Sequence, residues 1–327
     1  MRNLEDGFGR RFSYLRLSIT DACNFRCTYC LPNGYKRSKD SETYLSLSEI
    51  RNLAKAFAEL GMWKIRLTGG EPTLRRDLTD IAHMLSGIPE IRKIALSTNG
   101  YQLKQTARDL LSSGISALNV SVDSLIPEKF QAITGRDILS DVLAGIDAAL
   151  MAGFPTIKIN AVLLGGWNEE DFSLFQEWIR NRPLTVRFIE LMPTGQTASF
   201  FKKHHVSGET VRENLLRGGW IPRARQEADG PAIEFEHPDY QGSMGLIAPY
   251  SKHFCSTCNR LRVTSQGGLR LCLFGEGNHS LRHLLQQDSQ KEELKDLLCS
   301  VLQKKEVSHY LPEGRYGNNQ TFSAMGG

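Results

Sequence analysis

The chain has 327 residues, 40% of them hydrophobic and 23% charged, and its 40 Lys and Arg residues against 36 Asp and Glu residues give a formal net charge of +4. This composition excludes a disordered chain, a collagen and a coiled coil, and so small a net charge does not predict a nucleic-acid partner. No apolar run approaches the roughly 20 residues that span a bilayer, and the first residues lack the apolar core of a signal peptide, so we expect a cytoplasmic protein with no membrane partner.

Residues 14 to about 190 repeat one pattern, in which a short β-rich run is followed by a polar or glycine-rich turn and then by a helical stretch. The predicted strands are Leu15–Ile19, Lys64–Thr68, Ile94–Ser97, Ala117–Val122, Thr156–Leu164 and Thr185–Leu191. The predicted helices run from the capping box at Ser46 to near Gly61, over Leu78–Leu85, up to Gly114, and over Glu128–Ile133, Leu139–Ala152 and Glu169–Arg180. Six strand–helix units predict an α/β fold whose parallel sheet is closed toward a barrel by right-handed crossovers.

The pattern changes after about residue 195, because Arg, Gly and Pro become frequent over residues 217–231 and the predicted strands are short and irregular. Two helices are predicted in this region, over about Leu281–Gln287 and Gln290–Lys304, and a tail rich in Gly and Asn follows them. We therefore expect a partial barrel over residues 1–194 and a smaller C-terminal domain over residues 195–327.

Unusual residues follow the carboxyl ends of the predicted strands, where parallel α/β folds place their chemistry. They are the first cysteine loop, Gly69-Gly70-Glu71-Pro72, Ser97-Thr98-Asn99-Gly100, Ser121-Val122-Asp123 and Met192. The needs of a turn alone explain Gly, Asn and Asp at any one of these positions. Their convergence beside a cysteine loop favours a functional site.

Six of the seven cysteines fall into two groups, with the spacings C-x3-C-x2-C and C-x2-C-x13-C. The groups are Cys23, Cys27 and Cys30, and Cys255, Cys258 and Cys272. Disulfides need an oxidising compartment, for which the sequence shows no export signal. Structural zinc prefers four ligands, so only a zinc ion shared between the groups would fit. Iron–sulfur binding fits best, because thiolates bind iron tightly and such clusters accept closely spaced cysteines. Three thiolates per cluster would leave one iron open for a small molecule.

The remaining sequence motifs give little further evidence for a function. The seventh cysteine, Cys299, lies on the apolar stripe of a predicted helix and is expected to be a buried, inert thiol. His279 and His283 lack a nearby acid in an H-E-x-x-H pattern, which favours a solvated helix face over a metal site. The sequence contains no P-loop and no G-x-G-x-x-G fingerprint.

The segment Cys23-Asn-Phe-Arg-Cys27-Thr-Tyr-Cys30 resembles the cluster motif of radical S-adenosylmethionine (SAM) enzymes, and Gly69-Gly70-Glu71-Pro72 is similar to their motif for the SAM amino group. Further segments resemble one family of these enzymes, the molybdenum cofactor biosynthesis protein A family, whose members are GTP 3′,8-cyclases. These segments are Leu15–Asp21, Arg187–Glu190, Phe254–Arg262 and the terminal Gly326-Gly327. The resemblance covers nearly the whole chain.

The resemblance implies a fold, cofactors and site residues. The fold is an incomplete (β/α)6 radical SAM barrel with a smaller C-terminal auxiliary-cluster region, and the cofactors are SAM and two [4Fe-4S] clusters. The implied ligands are Cys23, Cys27 and Cys30 for the cluster that chelates SAM, and Cys255, Cys258 and Cys272 for a second cluster whose open iron takes the GTP purine. The implied SAM contacts are Tyr29, Gly70, Ser121 and Met192. The implied GTP contacts are Arg16, Arg66, Ser97, Lys158, Arg260, Leu261 and Arg262. Catalytic roles fall to the first three cysteines and to Arg260 and Arg262, and the tail glycines are expected to reach the pocket.

For three of these positions the sequence itself bears on whether the side chain is functional. Arg16 and Arg66 stand in otherwise apolar strands, which favours an inward, functional side chain. Lys158 alternates with Ile157 and Ile159, so that it could equally face solvent. At Ser97 relatives carry Thr, and the hydroxyl is retained.

The implied reaction begins when a 5′-deoxyadenosyl radical removes the C3′ hydrogen of GTP. The C3′ radical then attacks C8 of guanine and gives 3′,8-cyclo-7,8-dihydro-GTP, the first step of molybdenum cofactor biosynthesis. The implied partners are GTP, an electron donor such as flavodoxin, and cyclic pyranopterin monophosphate synthase, with the chain acting as a monomer or homodimer. Two alternatives stay open: a radical SAM modifier of peptides or RNA, which would need a polymer-binding groove, and a zinc-stabilised binding protein.

Overall fold

The computed structural model describes residues 3–36, 43–226, 229–317 and Phe322. The strands are β1 Tyr14–Thr20, β2 Lys64–Gly69, β3 Lys93–Thr98, β4 Ala117–Ser121, β5 Thr156–Leu163, β6 Thr185–Glu190, β7 Ile221–Pro222, β8 Ile233–Glu236, β9 Ser243–Ile247, β10 Arg260–Val263, β11 Gly268–Arg270 and β12 His279–Ser280. The helices are α1 Leu47–Glu59, α2 Leu78–Ser86, α3 Leu103–Ser112, α4 Pro127–Thr134, α5 Leu139–Ala152, α6 Phe172–Ile179, α7 Ala198–His204, α8 Gly208–Arg217 and α9 Lys291–Leu302. Among the described residues, no helix is long and apolar enough to cross a membrane.

Helix α1 begins where its capping box predicts. The Ser46 hydroxyl accepts a hydrogen bond from the Glu49 N–H at 3.2 Å, and the Glu49 carboxylate accepts one from the Ser46 N–H at 2.8 Å. Ile50, Leu53 and Phe57 recur at helical spacing, and all three are fully buried. This face of α1 belongs to the same hydrophobic core as the leucines of β1 and β2.

The strands form one sheet in the order β12-β11-β10-β1-β2-β3-β4-β5-β6-β9-β8-β7. Strands β1 to β6 run parallel in chain order, which confirms the six predicted units. Strands β10 and β9 from the C-terminal region add in parallel at the two sides of this core. The region after residue 194 therefore continues the barrel sheet and has no separate sheet among the described residues, while the domain boundary itself stays a prediction.

The predicted helix over Leu281–Gln287 is wrong. One short 3-10 turn lies in the segment, at Arg282–Leu284, and a second, Asp288–Gln290, follows directly after it. Its apolar spacing is helical, but the N–H groups of Gln286 and Gln287 donate to the side-chain oxygen of Gln290, at 3.2 and 3.0 Å, and not to preceding carbonyls. A local side-chain bond thus replaces the helical ladder.

The sheet curls around an interior space. Polar side chains such as Arg16, Arg66 and Lys158 point inward, while their neighbours along each strand pack in the hydrophobic core. The Arg225 Nη2 atom, in the loop after β7, donates to the Thr257 carbonyl before β10 at 3.0 Å. This bond joins a loop beside the β7 end of the sheet to a loop near its other end, so the partial barrel encloses a cavity.

Candidate active site

Two adjoining cavities lie inside the barrel. The strand-end cavity, of about 190 Å³, is lined by Cys23, Cys27 and Cys30. The interior cavity, of about 400 Å³, is lined by Cys255, Cys258 and Cys272. Asn160, Ile189 and Met192 line both cavities, so the cavities that hold the two cysteine groups adjoin each other.

Backbone hydrogen bonds fix the first cysteine loop. The N–H groups of Arg26 and Thr28 donate to the carbonyls of Thr134 and Ile133, at 3.1 and 3.0 Å, which docks the loop on the end of α4. The Cys30 N–H donates to the Cys27 carbonyl at 3.0 Å. The loop that carries the three cysteines is therefore fixed to the barrel.

The Gly-Gly-Glu-Pro turn lies directly against this loop. The Gly70 N–H donates to the Thr20 carbonyl at 3.0 Å, and a Cβ atom on Gly70 would clash with the Ala22 carbonyl oxygen. The fully buried Glu71 carboxylate accepts from the Thr98 hydroxyl at 2.8 Å and from the Asn99 N–H at 2.6 Å. Glu71 thus holds the turns after β2 and β3 together, and glycine is needed for the close approach to the cysteine loop.

The chemistry of the first three thiols fits an iron–sulfur cluster. Burial raises the pKa of Cys23 to about 11, and burial together with the Asp123 carboxylate raises the pKa of Cys27. Coordination to a metal deprotonates such a thiol outright. Among the described residues, no three His, Cys, Asp or Glu side chains are arranged to hold a single metal ion. In a cluster each thiolate binds a different iron, so the ligands need not converge on one point.

All four predicted SAM contacts, Tyr29, Gly70, Ser121 and Met192, line the strand-end cavity beside the first cysteines. The Tyr29 hydroxyl donates to the Asp123 carboxylate at 2.9 Å, and burial raises the pKa of Asp123 to about 6. The terminal Gly326-Gly327 lies outside the described residues.

The second cysteine group has a more positive environment. Cys258 is bonded through its N–H to the Cys255 carbonyl at 3.1 Å. Burial would raise the pKa of Cys258, but the positive charges of Arg260 and Lys305 outweigh it and lower the pKa to about 7. Cations thus stabilise a thiolate here even without a metal.

The interior cavity is strongly basic. Its lining contains ten Lys and Arg residues and only two carboxylates, Asp229 and Glu234. Five predicted GTP contacts line it, and they are Arg16, Arg66, Lys158, Arg260 and Arg262. Such a lining suits a polyanionic ligand, because Arg and Lys bind phosphate oxygens strongly.

Ser97 and Leu261 depart from the prediction. Ser97 lines the strand-end cavity, and its hydroxyl accepts from Arg66 Nη1 at 3.3 Å. Leu261 lies between two inward arginines on β10, so its side chain points to the other face and is buried in the core. The predicted substrate contact of Leu261 can therefore involve only its backbone.

Several buried polar atoms of the interior cavity have no hydrogen-bond partner among the described residues. They are the Tyr14 hydroxyl, the Arg66 Nε atom and the Asn119 Nδ2 atom. Native proteins rarely leave such atoms unpaired, so they indicate a polar ligand in this space.

Burial also lowers the pKa of several cations here. It lowers the pKa of Arg187 to about 10, with a further contribution from Arg66, and that of Lys64 to about 8. A bound anion would relieve this mutual repulsion.

Five further residues line the cavity for which the sequence predicts no contact with SAM or GTP: Lys64, Asn160, Arg187, Glu234 and Lys305. Asn160 accepts from Arg187 Nη2 at 2.8 Å at the junction of the two cavities. The available signal was the polar residue at every second position of otherwise apolar strands. Lys305 gave no such signal, because it follows α9 and reaches the cavity only through the tertiary fold.

Two known protein families match successive parts of the chain. The family model described as Radical SAM superfamily matches residues 17–179, and that described as Molybdenum Cofactor Synthesis C matches residues 184–311.

Two solved structures are similar in fold. SuiB from Streptococcus suis bound to S-adenosylmethionine is 12% identical with a TM-score of 0.64, covering 89% of this chain and 68% of SuiB. Native anSMEcpe with bound AdoMet and Cp18Cys peptide is 14% identical with a TM-score of 0.55, covering 88% of this chain and 83% of that one. The predicted radical SAM barrel is confirmed, and the family implies SAM and a [4Fe-4S] cluster. The chain thus belongs to the radical SAM superfamily and has the domain arrangement of molybdenum cofactor biosynthesis protein A.

Proposed function

We propose that this chain is a radical SAM GTP 3′,8-cyclase that forms 3′,8-cyclo-7,8-dihydro-GTP. The observation that carries the proposal is the interior cavity, which presents three cysteines and a dense set of cations within one space. Cys255, Cys258 and Cys272 would hold a second [4Fe-4S] cluster for the purine, and the cations would bind the triphosphate.

The residues divide the work of binding and shielding. When bound, the first cluster and SAM supply the radical that removes the C3′ hydrogen of the substrate. Tyr29, Gly70, Ser121 and Met192 line the SAM side of the space. The GTP side is lined by Arg16, Arg66, Lys158, Arg260 and Arg262. The Ser97 hydroxyl accepts a hydrogen bond from Arg66. The enclosing barrel keeps water from the reacting carbon.

The reaction also sets the expected partners. A one-electron donor such as flavodoxin would reduce the first cluster, and cyclic pyranopterin monophosphate synthase would consume the product. Both partners are part of the proposal.

The test uses anaerobically reconstituted protein with SAM, a reductant and GTP deuterated at C3′. We expect deuterium in 5′-deoxyadenosine and a new chromatographic species that is isomeric with GTP. If the protein cleaves SAM but leaves GTP unchanged, it is a radical SAM enzyme that acts on another substrate, and the cyclase assignment is wrong. If the anaerobic protein contains zinc in place of iron and sulfide, both the cyclase assignment and the radical SAM assignment are wrong.

A variant of the second group separates the two cavities. Cys272→Ser should retain the spectral change of the first cluster on SAM addition but form no cyclised product. Cys299→Ser is the matched control, since Cys299 lies on α9 and lines neither cavity. Wild-type product from Cys272→Ser would exclude a role for a second cluster.

A further inference from the structure

The segment before β1 contacts the second cysteine loop, the loop before β10 that carries Cys255 and Cys258, although more than two hundred residues separate them in sequence. Leu4 and Phe12 are buried, and the Phe12 N–H donates to the Leu4 carbonyl at 2.9 Å. The Asp6 N–H donates to the Arg10 carbonyl at 3.1 Å and closes a tight loop between them. The segment is thus a packed part of the fold.

The Asp6 carboxylate fixes the orientation of the Arg10 side chain. Its Oδ1 atom accepts from the N–H groups of Phe8 and Arg10, each at 3.0 Å, and its Oδ2 atom accepts from Arg10 Nε at 2.7 Å. Asp6 is 5% exposed and Arg10 is 9% exposed. A buried ion pair with this many hydrogen bonds holds one geometry.

The far side of the Arg10 guanidinium reaches the second cysteine loop. Its Nη1 atom donates to the Cys255 carbonyl at 3.1 Å and to the Val307 carbonyl at 2.8 Å, and its Nη2 atom donates to the Glu306 carbonyl at 2.7 Å. The same side chain therefore ties the first cysteine of the second group to the segment after α9. Only a planar group with several donors can make these bonds together with the Asp6 contact.

We propose that Arg10, oriented by Asp6, is a positioning residue for the second iron–sulfur cluster. The inference rests on the proposed function, which places a cluster at Cys255, Cys258 and Cys272. Arg10 fixes the backbone that carries the Cys255 thiol, and its buried positive charge favours the reduced form of a cluster bound there.

The test compares iron content and reduction potential in anaerobically reconstituted full-length variants. Wild-type protein should hold about eight irons per chain, as two [4Fe-4S] clusters require. Arg10→Gln should lose up to half of this iron, from the second cluster, and any second cluster that remains should have a lower reduction potential. The spectral response of the first cluster to SAM should not change.

Arg11→Gln is the matched control, since the Arg11 side chain is 77% exposed and pairs with Glu5 on the surface. Arg10→Lys keeps the charge but cannot make all the bonds, so it should retain the potential better than Arg10→Gln while binding less iron than wild type. This variant also covers the case in which Arg10→Gln does not fold.

The outcomes separate the two proposals. Wild-type protein with a single cluster would overturn the proposed function. A second result would overturn the positioning role alone. In it, wild-type protein holds two clusters, and both Arg10 variants keep the full iron content and an unchanged reduction potential of the second cluster. A purely structural role for Arg10 would lower the free energy of unfolding without shifting the potential.

Discussion

Lys158 and Glu234 form an ion pair inside the interior cavity, between β5 and β8. Arg223 Nη2 also donates to the Glu234 carboxylate, at 2.6 Å, and the Glu234 side chain is only 7% exposed. Burial lowers the pKa of Lys158, Arg187 lowers it further, and Glu234 opposes both. In the proposed function Lys158 binds a GTP phosphate, and the Glu234 carboxylate then competes with that phosphate for the lysine.

Glu234→Gln should strengthen GTP binding, because a neutral amide competes for Lys158 and Arg223 less strongly than a carboxylate does. Removing one nearby negative charge is worth about 1 kcal/mol, so we expect the Kd for GTP to fall by about fivefold at low salt and by less at high salt. Equilibrium binding of GTP by the reconstituted protein measures this. Glu236→Gln on the same strand is the control, since Glu236 is 61% exposed and lies 3.9 Å from Arg223. Equal Kd values for both variants would show that Glu234 does not oppose the phosphate.

Tyr14 should make substrate binding depend on pH. Its ring lies 4.3 Å from Lys64 Nζ, and although burial raises its pKa, the charges of Arg66, Arg16 and Lys64 lower that pKa to about 7. Above this pH the phenolate neutralises part of the positive field, so the KM for GTP should rise between about pH 6 and pH 8. Tyr14→Phe keeps the ring but has no phenol to ionise, so the part of the rise in KM that is due to Tyr14 should disappear. The titration of GTP itself affects both proteins equally. If KM depends on pH in the same way in the two proteins, ionisation of Tyr14 does not contribute to it.

Gly70→Ala should damage the SAM side of the site selectively. The added methyl group would meet the Ala22 carbonyl, which belongs to the first cysteine loop. We expect loss of the spectral response to SAM and a fall of at least tenfold in SAM cleavage, because backbone on both sides must shift. Gly87→Ala at the end of α2 is the control, since its Cβ atom would come no nearer than 3.5 Å to another atom. A normal SAM response in Gly70→Ala would mean that the turn can move without cost to the site.

The first strands and the cysteine loop could be predicted from sequence because their signals are local. The capping box at Ser46 and the alternation of Arg16 with buried leucines depend on neighbours along the chain. The C-terminal strands could not be assigned to the barrel, because the pairing of Arg16 with Arg262 joins residues far apart in sequence. The position of Lys158 was undecided for the same reason: only the fold brings Glu234 to it.

Glu49 should stabilise the contact between α1 and the C-terminal region in a pH-dependent way. Its carboxylate accepts from Arg282 Nε at 2.9 Å and from Gln286 Nε2 at 2.9 Å. Burial raises its pKa, but the hydrogen bonds from Arg282, Ser46 and Gln286 outweigh this and lower the pKa from 4.5 to about 2. Because the pKa is lower in the folded state, the stabilisation is complete above the unfolded pKa and is lost as the pH falls toward 2.

Glu49→Gln should therefore reduce the free energy of unfolding by about 2 kcal/mol at neutral pH, and the difference from wild type should shrink as the pH falls below the unfolded pKa. Anaerobic urea unfolding of the two reconstituted proteins measures this, and acid loss of the clusters affects both alike. Glu59→Gln at the end of α1 is the control, since Glu59 is 35% exposed and its pairs with Lys291 and Lys295 lie at the surface. Such pairs contribute about 0.5 kcal/mol. A difference between wild type and Glu49→Gln that does not change with pH would mean that packing, and not the charge of Glu49, stabilises this contact.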